Sequence, residues 1–214
     1  YQSSLTKTWH SESYPAISPS RPALSAEDKV VVITGSASGI GFSIARAFAA
    51  AGCTKMAILA RKENILTRAK ESIEQEYPGT NGLALPTDIT DGKQLTIAFT
   101  TVAESFRAID ILVCSAAYMP ASAPVLSPEC DLDSWWNTFT TNVLGVMKVA
   151  RAFEPHAAEG GQILNIATAL ATLPPLQHGL SSYAASKAAA AKAFDCIALE
   201  NPHLKGRSTS DLVL

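Results

Sequence analysis

Two side chains in this sequence are spaced to handle a proton. Tyr183 and Lys187 stand four residues apart in a stretch of helical patterning, so a phenol and an ammonium share one helix face. A phenol of ordinary pKa ~10 is protonated at neutral pH, and a nearby cation favours its phenolate, which suits the pair to acid–base work. Such a spacing is common by chance and gains weight only from its company. Far upstream, Thr34, Gly35, Ser36, Ala37, Ser38, Gly39, Ile40 and Gly41 follow an apolar β-branched run and open a helix. Glycines at such a turn allow close approach of a diphosphate, and a helix N-terminus turns unpaired N–H groups and the positive end of its dipole toward the anion. Strand, glycine turn and helix in that order read as a dinucleotide cradle rather than a bare tight turn.

The elements that must hold these groups can be read from periodicity. Short apolar runs at 30–33, 56–60, 83–85, 111–114 and 163–167 have the length and branching of strands buried on both faces. Between the first two, Ile40, Ile44 and Phe48 recur every four residues and mark the inward stripe of a helix ending near Gly52. Further helices are expected at 63–76, 92–106, 132–153 and 183–199. Alternating strand and helix predicts an α/β fold, a Rossmann-like doubly wound parallel sheet with helices on both faces and three layers in all. One domain is expected, spanning 26–200. Residues 1–25, rich in Ser, Thr and Pro and without periodicity, are expected to form an extended arm or mobile tail, with Trp9, Tyr14 and Ile17 able to pack onto the domain.

Composition narrows the function. The formal charge is only −2 and 47% of residues are apolar, so no broad attraction to nucleic acid or an anionic membrane is expected, and small-molecule chemistry is favoured. Cys53, Cys114, Cys130 and Cys196 lack CxxC spacing and the histidines do not join them at zinc-ligand distances, so no metal is expected and a reducing cytoplasm suits the thiols. No basic leader followed by an apolar segment and no membrane-spanning run is evident, so a soluble protein is expected.

The turn at 34–41 has the spacing GxxxGxG, and the ordered set of motifs resembles the short-chain dehydrogenase/reductase family over residues 26–199. That resemblance implies an oxidoreductase that moves a hydride between a nicotinamide cofactor and a carbonyl or alcohol. It assigns cofactor contacts to Thr34, Gly35, Ser38, Gly39, Ile40 and Gly41, and to Ala116 after the fourth strand. The second strand ends at Arg61 and Lys62, where NAD-selective members carry an acid, so NADP(H) is favoured over NAD(H) with Arg61 on the 2′-phosphate. The bland alternative is a solvated helix start. Asp88 resembles the family's adenine-binding aspartate, and from the residues alone it is equally an N-cap for the next helix.

In the same family Tyr183 is the proton donor and acceptor, and Lys187 lowers its pKa and holds the nicotinamide ribose. A downward shift of ~3 units requires ~4 kcal/mol, to be shared between the ammonium and the charge of the oxidised nicotinamide. Asn142, in a segment resembling Asn-Val-x-Gly, completes a tetrad and binds a water in the proton supply. Thr168 occupies the position of the family's catalytic serine, with Ser181 or Ser182 as alternative hydroxyls. Cys114, Ser115, Ala116 and Ala117 depart from the usual Asn-Asn-Ala-Gly. Residues 201–214 form an atypical tail without an evident sixth strand, which suggests truncation and leaves open whether the last strands are present. A homodimer or homotetramer formed through the Asn142 and Tyr183 helices is implied. Two other functions compete: a catalytically silent dinucleotide-binding or dimer-forming fragment, and, less well supported, a lyase or isomerase using bound nucleotide structurally. Substrate identity is unreadable, because it depends on variable segments such as 118–128.

Overall fold

The computed structural model describes residues 10, 14–174 and 177–208, the last four by their backbone alone. Six parallel strands form one sheet in the order β3-β2-β1-β4-β5-β6, where β1 is Val30–Thr34, β2 Lys55–Ala60, β3 Asn81–Pro86, β4 Ile109–Cys114, β5 Ala157–Asn165 and β6 Lys205–Ser208. The chain winds outward from β1 to β3, then crosses back to β4 and winds the other way. Between β1 and β4 the direction of winding reverses, and in an open parallel sheet a crevice forms there at the carboxyl ends of the strands.

The alternation of β1 explains the layers. Val30 and Val32 point to a core shared with α3 (Gly92–Ser105), α5 (Val146–Phe153) and α6 (Ser181–Glu200), where Phe99, Phe153 and Phe194 are buried. Val31 and Ile33 point to the opposite core, closed by α1 (Gly39–Ala50) and α2 (Glu63–Glu76) through Ala45, Ala49, Leu66 and Ile73. At the amino ends of the strands Asp110 accepts from the Val30 amide at 3.0 Å and pairs with Lys29 and Arg107 at 3.2 and 3.0 Å, which ties β4 to the entrance of β1.

Several expectations are corrected. The inward stripe of α1 is Gly41, Ala45 and Ala49, one residue on from Ile40, Ile44 and Phe48; Ile40 is exposed. Small residues are required because the helix lies close to the turn: a Cβ at Gly41 would stand 2.3 Å from the Gly35 carbonyl oxygen. The helix expected at 132–153 is interrupted. It comprises α4 (Leu132–Phe139), a π-helical segment Thr140–Gly145, and α5. The fifth strand starts earlier than expected and ends at Asn165, because the Ile166 carbonyl turns away from the ladder to accept from Lys187 at 2.7 Å.

A sixth strand exists. Lys205–Ser208 pairs with Gln162 to Asn165 of β5, although its residues carry no apolar run. The described part of residues 1–25 is not extended, since prolines open two single-turn 3₁₀ helices at Pro15–Ile17 and Pro22–Leu24. Tyr14 and Ile17 are exposed there. Trp9 and residues 209–214 lie outside the described residues. Among the described residues no helix is long and apolar enough to cross a membrane.

Candidate active site

The carboxyl ends of the strands are in register: Leu59 pairs with Thr34, Thr34 with Cys114, and Cys114 with Asn165. The chain therefore leaves four neighbouring strands at one level, and the loops beyond them border a cleft of about 570 Å³. From the β3 side to the β5 side its wall carries Asp88 and Thr90, then Arg61 and Lys62, then Gly35, Ser38, Ile40 and Gly41, then Ser115, Ala116 and Tyr118, and finally Ile166, Tyr183 and Lys187.

The glycine turn is built by close backbone approach. Gly35 has φ +69°, and a Cβ on it would lie 2.6 Å from the Ala116 Cα. Gly39 has φ +57° with open space around it, so conformation rather than crowding calls for glycine there. Ser36 is fully buried and its hydroxyl donates to the Ile33 carbonyl at 2.9 Å, which pins the turn to β1. Ser38 precedes α1 and makes no side-chain cap bond, so the first-turn amides of the helix have no acceptor from within the helix.

Thr34 and Gly39 were expected to touch cofactor and are not among the residues lining the cleft. Thr34 is buried, and its Oγ1 accepts from the Ser115 and Ala116 amides at 3.2 and 3.3 Å. It holds the β4 exit against β1, in the region where the sequence departs from Asn-Asn-Ala-Gly. Arg61 makes no ion pair or hydrogen bond among the described residues. Lys62 is the N-cap position of α2 as well as a lining residue, so the helix-start reading and the anion-facing reading are both compatible with its place.

Asp88 is not a helix cap; Asp91 takes that role, accepting from the Lys93 and Gln94 amides. Asp88 Oδ1 instead accepts from the Thr90 amide and hydroxyl at 2.8 and 2.7 Å.

Tyr183 and Lys187 both line the cleft, on the same wall as the glycine turn's neighbour Ala116. Lys187 is buried and its ammonium donates to the Ile166 carbonyl. Burial pushes its pKa down, opposed by the nearby Cys114 thiol, which burial itself raises to about 12. The Tyr183 phenol is pushed above its usual range by burial. The downward shift expected from Lys187 is thus not what the cleft produces by itself, because desolvation dominates.

Asn142 lies behind the wall. Its Oδ1 accepts from the Tyr118 amide at 2.7 Å, and its Nδ2 donates to the Tyr118 carbonyl at 2.9 Å and to Ser186 Oγ at 3.1 Å. Ser186 Oγ in turn donates to the Tyr183 carbonyl at 2.9 Å. One amide thereby joins the loop after β4 to the helix that carries the phenol. Thr168 lies outside the lining, and its hydroxyl accepts from the Leu170 amide at 3.4 Å. Ser181 and Ser182 face α4 instead, through Trp135 Nε1 at 2.9 Å and Thr138 Oγ1 at 3.3 Å, so neither stands in for Thr168. Tyr118, Thr90 and Thr141 line the cleft without having been singled out. Tyr118 is placed by two bonds between its main chain and Asn142 and by a hydrogen bond between its hydroxyl and Ser134 Oγ at 2.8 Å.

A sequence profile of the short chain dehydrogenase family matches residues 29–204. A curated short chain dehydrogenase/reductase of Claviceps purpurea is 36% identical over 197 residues, covering 92% of this chain and 64% of the relative. A short chain dehydrogenase of Pseudocercospora fijiensis is 33% identical over 192 residues, covering 88% of this chain and 60% of the relative. The chain thus spans less than two thirds of the length of these relatives. Among solved structures, a Burkholderia cenocepacia short chain dehydrogenase in complex with NADP is 31% identical with a TM-score of 0.75, covering 83% of this chain and 71% of that one. A Thermococcus sibiricus alcohol dehydrogenase complexed with 5-hydroxy-NADP is 26% identical with a TM-score of 0.76, covering 84% and 74%.

The upward shift of Tyr183 has a measurable consequence. Subtracting the ultraviolet pH titration of Tyr183→Phe from that of the intact chain isolates this phenol, and its midpoint is expected above 10.0. The folded state then holds the proton more tightly than the unfolded chain, so the stability this group contributes is whole below pH ~10 and is lost as pH rises through the folded midpoint. A midpoint at or below the ordinary value would mean that the ammonium outweighs burial.

Proposed function

From the premise that this chain belongs to the short chain dehydrogenase family, whose profile spans residues 29–204, we propose that the cleft binds NADP(H) and interconverts a carbonyl and an alcohol, with Tyr183 as acid and base. The observation that carries the reading is that the phenol and ammonium of Tyr183 and Lys187 border the same cleft as the glycine turn and Arg61.

The residues present fit the dinucleotide. The turn from Gly35 to Gly41 presents backbone and no bulky side chain to a diphosphate, while the α1 N-terminus adds its dipole. Arg61, which has no carboxylate partner among the described residues, is available to a 2′-phosphate as a planar fork of donors. Asp88 is placed on the same side as Arg61, toward the adenosine, and its Oδ1 is already engaged by Thr90. The Burkholderia relative holds NADP, which favours the same cofactor here.

When bound, a nicotinamide would supply the hydride chemistry, its reduced form giving hydride to a carbonyl carbon and its oxidised form accepting hydride from an alcohol carbon. Tyr183 gives its proton to the carbonyl oxygen in reduction and receives it in oxidation. Lys187 sits at the Tyr183 end of the cleft, where its buried charge favours the phenolate and can reach the ribose hydroxyls. Asn142 holds the Tyr118 loop and Ser186 in place, and from there can also serve a water in the proton supply. The Thr168 hydroxyl accepts from the Leu170 amide and keeps its own proton to donate, but Thr168 stands outside the cleft lining. That placement is the observation favouring the second reading, a chain that binds dinucleotide without turnover.

The four free thiols suit a reducing, cytoplasmic setting. Exposed Trp136 and Leu144 on the Asn142 helix and Leu199 on the Tyr183 helix support self-association into a dimer or tetramer.

Titrating NADPH into the purified chain and monitoring its oxidation with a panel of ketones and aldehydes tests the main reading. Turnover should fall by orders of magnitude in Tyr183→Phe, ~10²-fold or more, while NADPH still binds; binding without turnover on any compound would favour the silent reading. In Arg61→Glu the Michaelis constant for NADPH should rise by at least ~10-fold over that for NADH, since a charge-assisted pair becomes a repulsion. An unchanged ratio would remove Arg61 from cofactor choice. In sedimentation velocity the intact chain should run as a dimer or larger species, and a monomer at all concentrations would refute the pairing.

A further inference from the structure

Lys148 has no part in the proton or phosphate chemistry above, yet it is drawn in to touch the cleft's wall from behind. It lies on α5 just beyond the π-helical segment, half-buried, and its Nζ donates to the Thr90 carbonyl at 2.6 Å. Removing a long, flexible ammonium from water to meet one carbonyl costs rotamer freedom and hydration, and the second of these costs an apolar side chain at the same place would not incur. The compensation is a charge-assisted bond to a loop that has no strand to hold it.

That loop is already half tied. The Thr90 amide and hydroxyl hold Asp88 Oδ1, the Asp88 amide donates to Gln94 Oε1 at 2.8 Å, and the Asp91 amide donates to the Asp88 carbonyl at 3.0 Å. These bonds fasten the loop to the start of α3 and leave its far side to α5. There Gly145 makes room, since a Cβ on it would stand 3.1 Å from the Ile89 side chain, and Lys148 supplies the one polar tie among the described residues. Asp88 and Thr90 both line the cleft, at the end beyond Arg61 and away from Tyr183.

We infer that Lys148 is a positioning residue for nucleotide binding: by holding the Thr90 carbonyl it fixes the Asp88 carboxylate on the wall that receives the adenosine end of the dinucleotide. The inference rests on the dinucleotide reading of the cleft and adds a residue to it.

Calorimetric titration of the full chain with NADPH, and separately with adenosine 2′,5′-bisphosphate, tests it in the intact protein, Lys148→Met and Lys148→Arg, each with its melting temperature. Lys148→Met should weaken both ligands by a similar factor, on the order of tenfold, as expected for loss of one charge-assisted bond that acts through the loop. Lys148→Arg, which keeps a cationic donor, should recover most of that loss. Unchanged affinity in Lys148→Met, or equal loss in both variants together with a collapsed melting temperature, would overturn the role. Should Lys148→Met not fold, Lys148→Gln is read in its place by the same criteria. If the intact chain binds neither ligand, the dinucleotide reading itself fails. If it binds both and the variants match it, only the role of Lys148 fails.

Discussion

Three backbone stretches meet at the carboxyl end of β1 with no room for a side chain between them. A Cβ on Gly35 would press to 2.6 Å of the Ala116 Cα, and one on Gly41 to 2.3 Å of the Gly35 carbonyl oxygen. Because the turn is drawn down between the β4 exit and the first turn of α1, the helix begins beside the sheet edge and its N-terminus opens on the cleft. Polar bonds keep that contact in place: Thr34 Oγ1 receives the Ser115 and Ala116 amides, and Ser36 Oγ returns to the Ile33 carbonyl. Overpacking at such a point costs ~1–3 kcal/mol even where neighbours relax, and here the neighbours are main chain. The line of loops that forms the cleft depends on this contact, since it sets where β1 and β4 part.

The sequence reveals those parts of the molecule whose physics demands unusual residues. Parallel strands buried on both faces need continuous apolar runs, and β1, β2 and β4 carry them. The glycine turn, Tyr183, Lys187 and Arg61 stand out in the sequence because few other residues could do the work proposed for them, and they border one cleft. Backbone-driven features leave no such trace. Residues Lys205–Ser208 join the sheet through ladder bonds to β5, so no apolar run marks β6. The π-helical segment inside the 132–153 stretch has ordinary helical composition. The stripe of α1 is misread for a related reason: a helix packed tightly on its turn buries Gly41, Ala45 and Ala49, and leaves the larger Ile44 and Phe48 at the flanks. In the cleft, Thr90 and Tyr118 owe their places largely to bonds with main-chain atoms, and their side-chain types alone do not mark them.

The charges of the cleft divide by burial. Arg61 is exposed, and a cation in water interacts weakly until a ligand excludes solvent around it. Lys187 is buried, and burial pushes its pKa down while the same loss of water pushes the Tyr183 phenol up. Both displacements have one cause and opposite signs. Each charged form is held at a cost that a nearby opposite charge or a hydrogen-bonding ligand would reduce. Cys114, itself raised to about 12 by burial, opposes the fall at Lys187 without reversing it.

One helical element serves both ends of the cleft. Asn142, within the π-helical segment, grips the Tyr118 main chain and Ser186, and through Ser186 reaches the Tyr183 carbonyl. Three residues on, Gly145 lies against Ile89, and three beyond that Lys148 holds Thr90. An unbroken α-helix repeats every 3.6 residues and commits one narrow face to the sheet. The wider turns of a π segment rotate α5 relative to α4 about their common axis, and such segments occur often at functional sites. Here the change lets residues before Gly145 address the phenol's helix while residues after it address the loop beyond β3. The loops after β3 and β4 are thereby referred to one helical element. The distance between Tyr183 and the Asp88 wall is then tied to this helix, as the dinucleotide proposed to engage both ends at once would require.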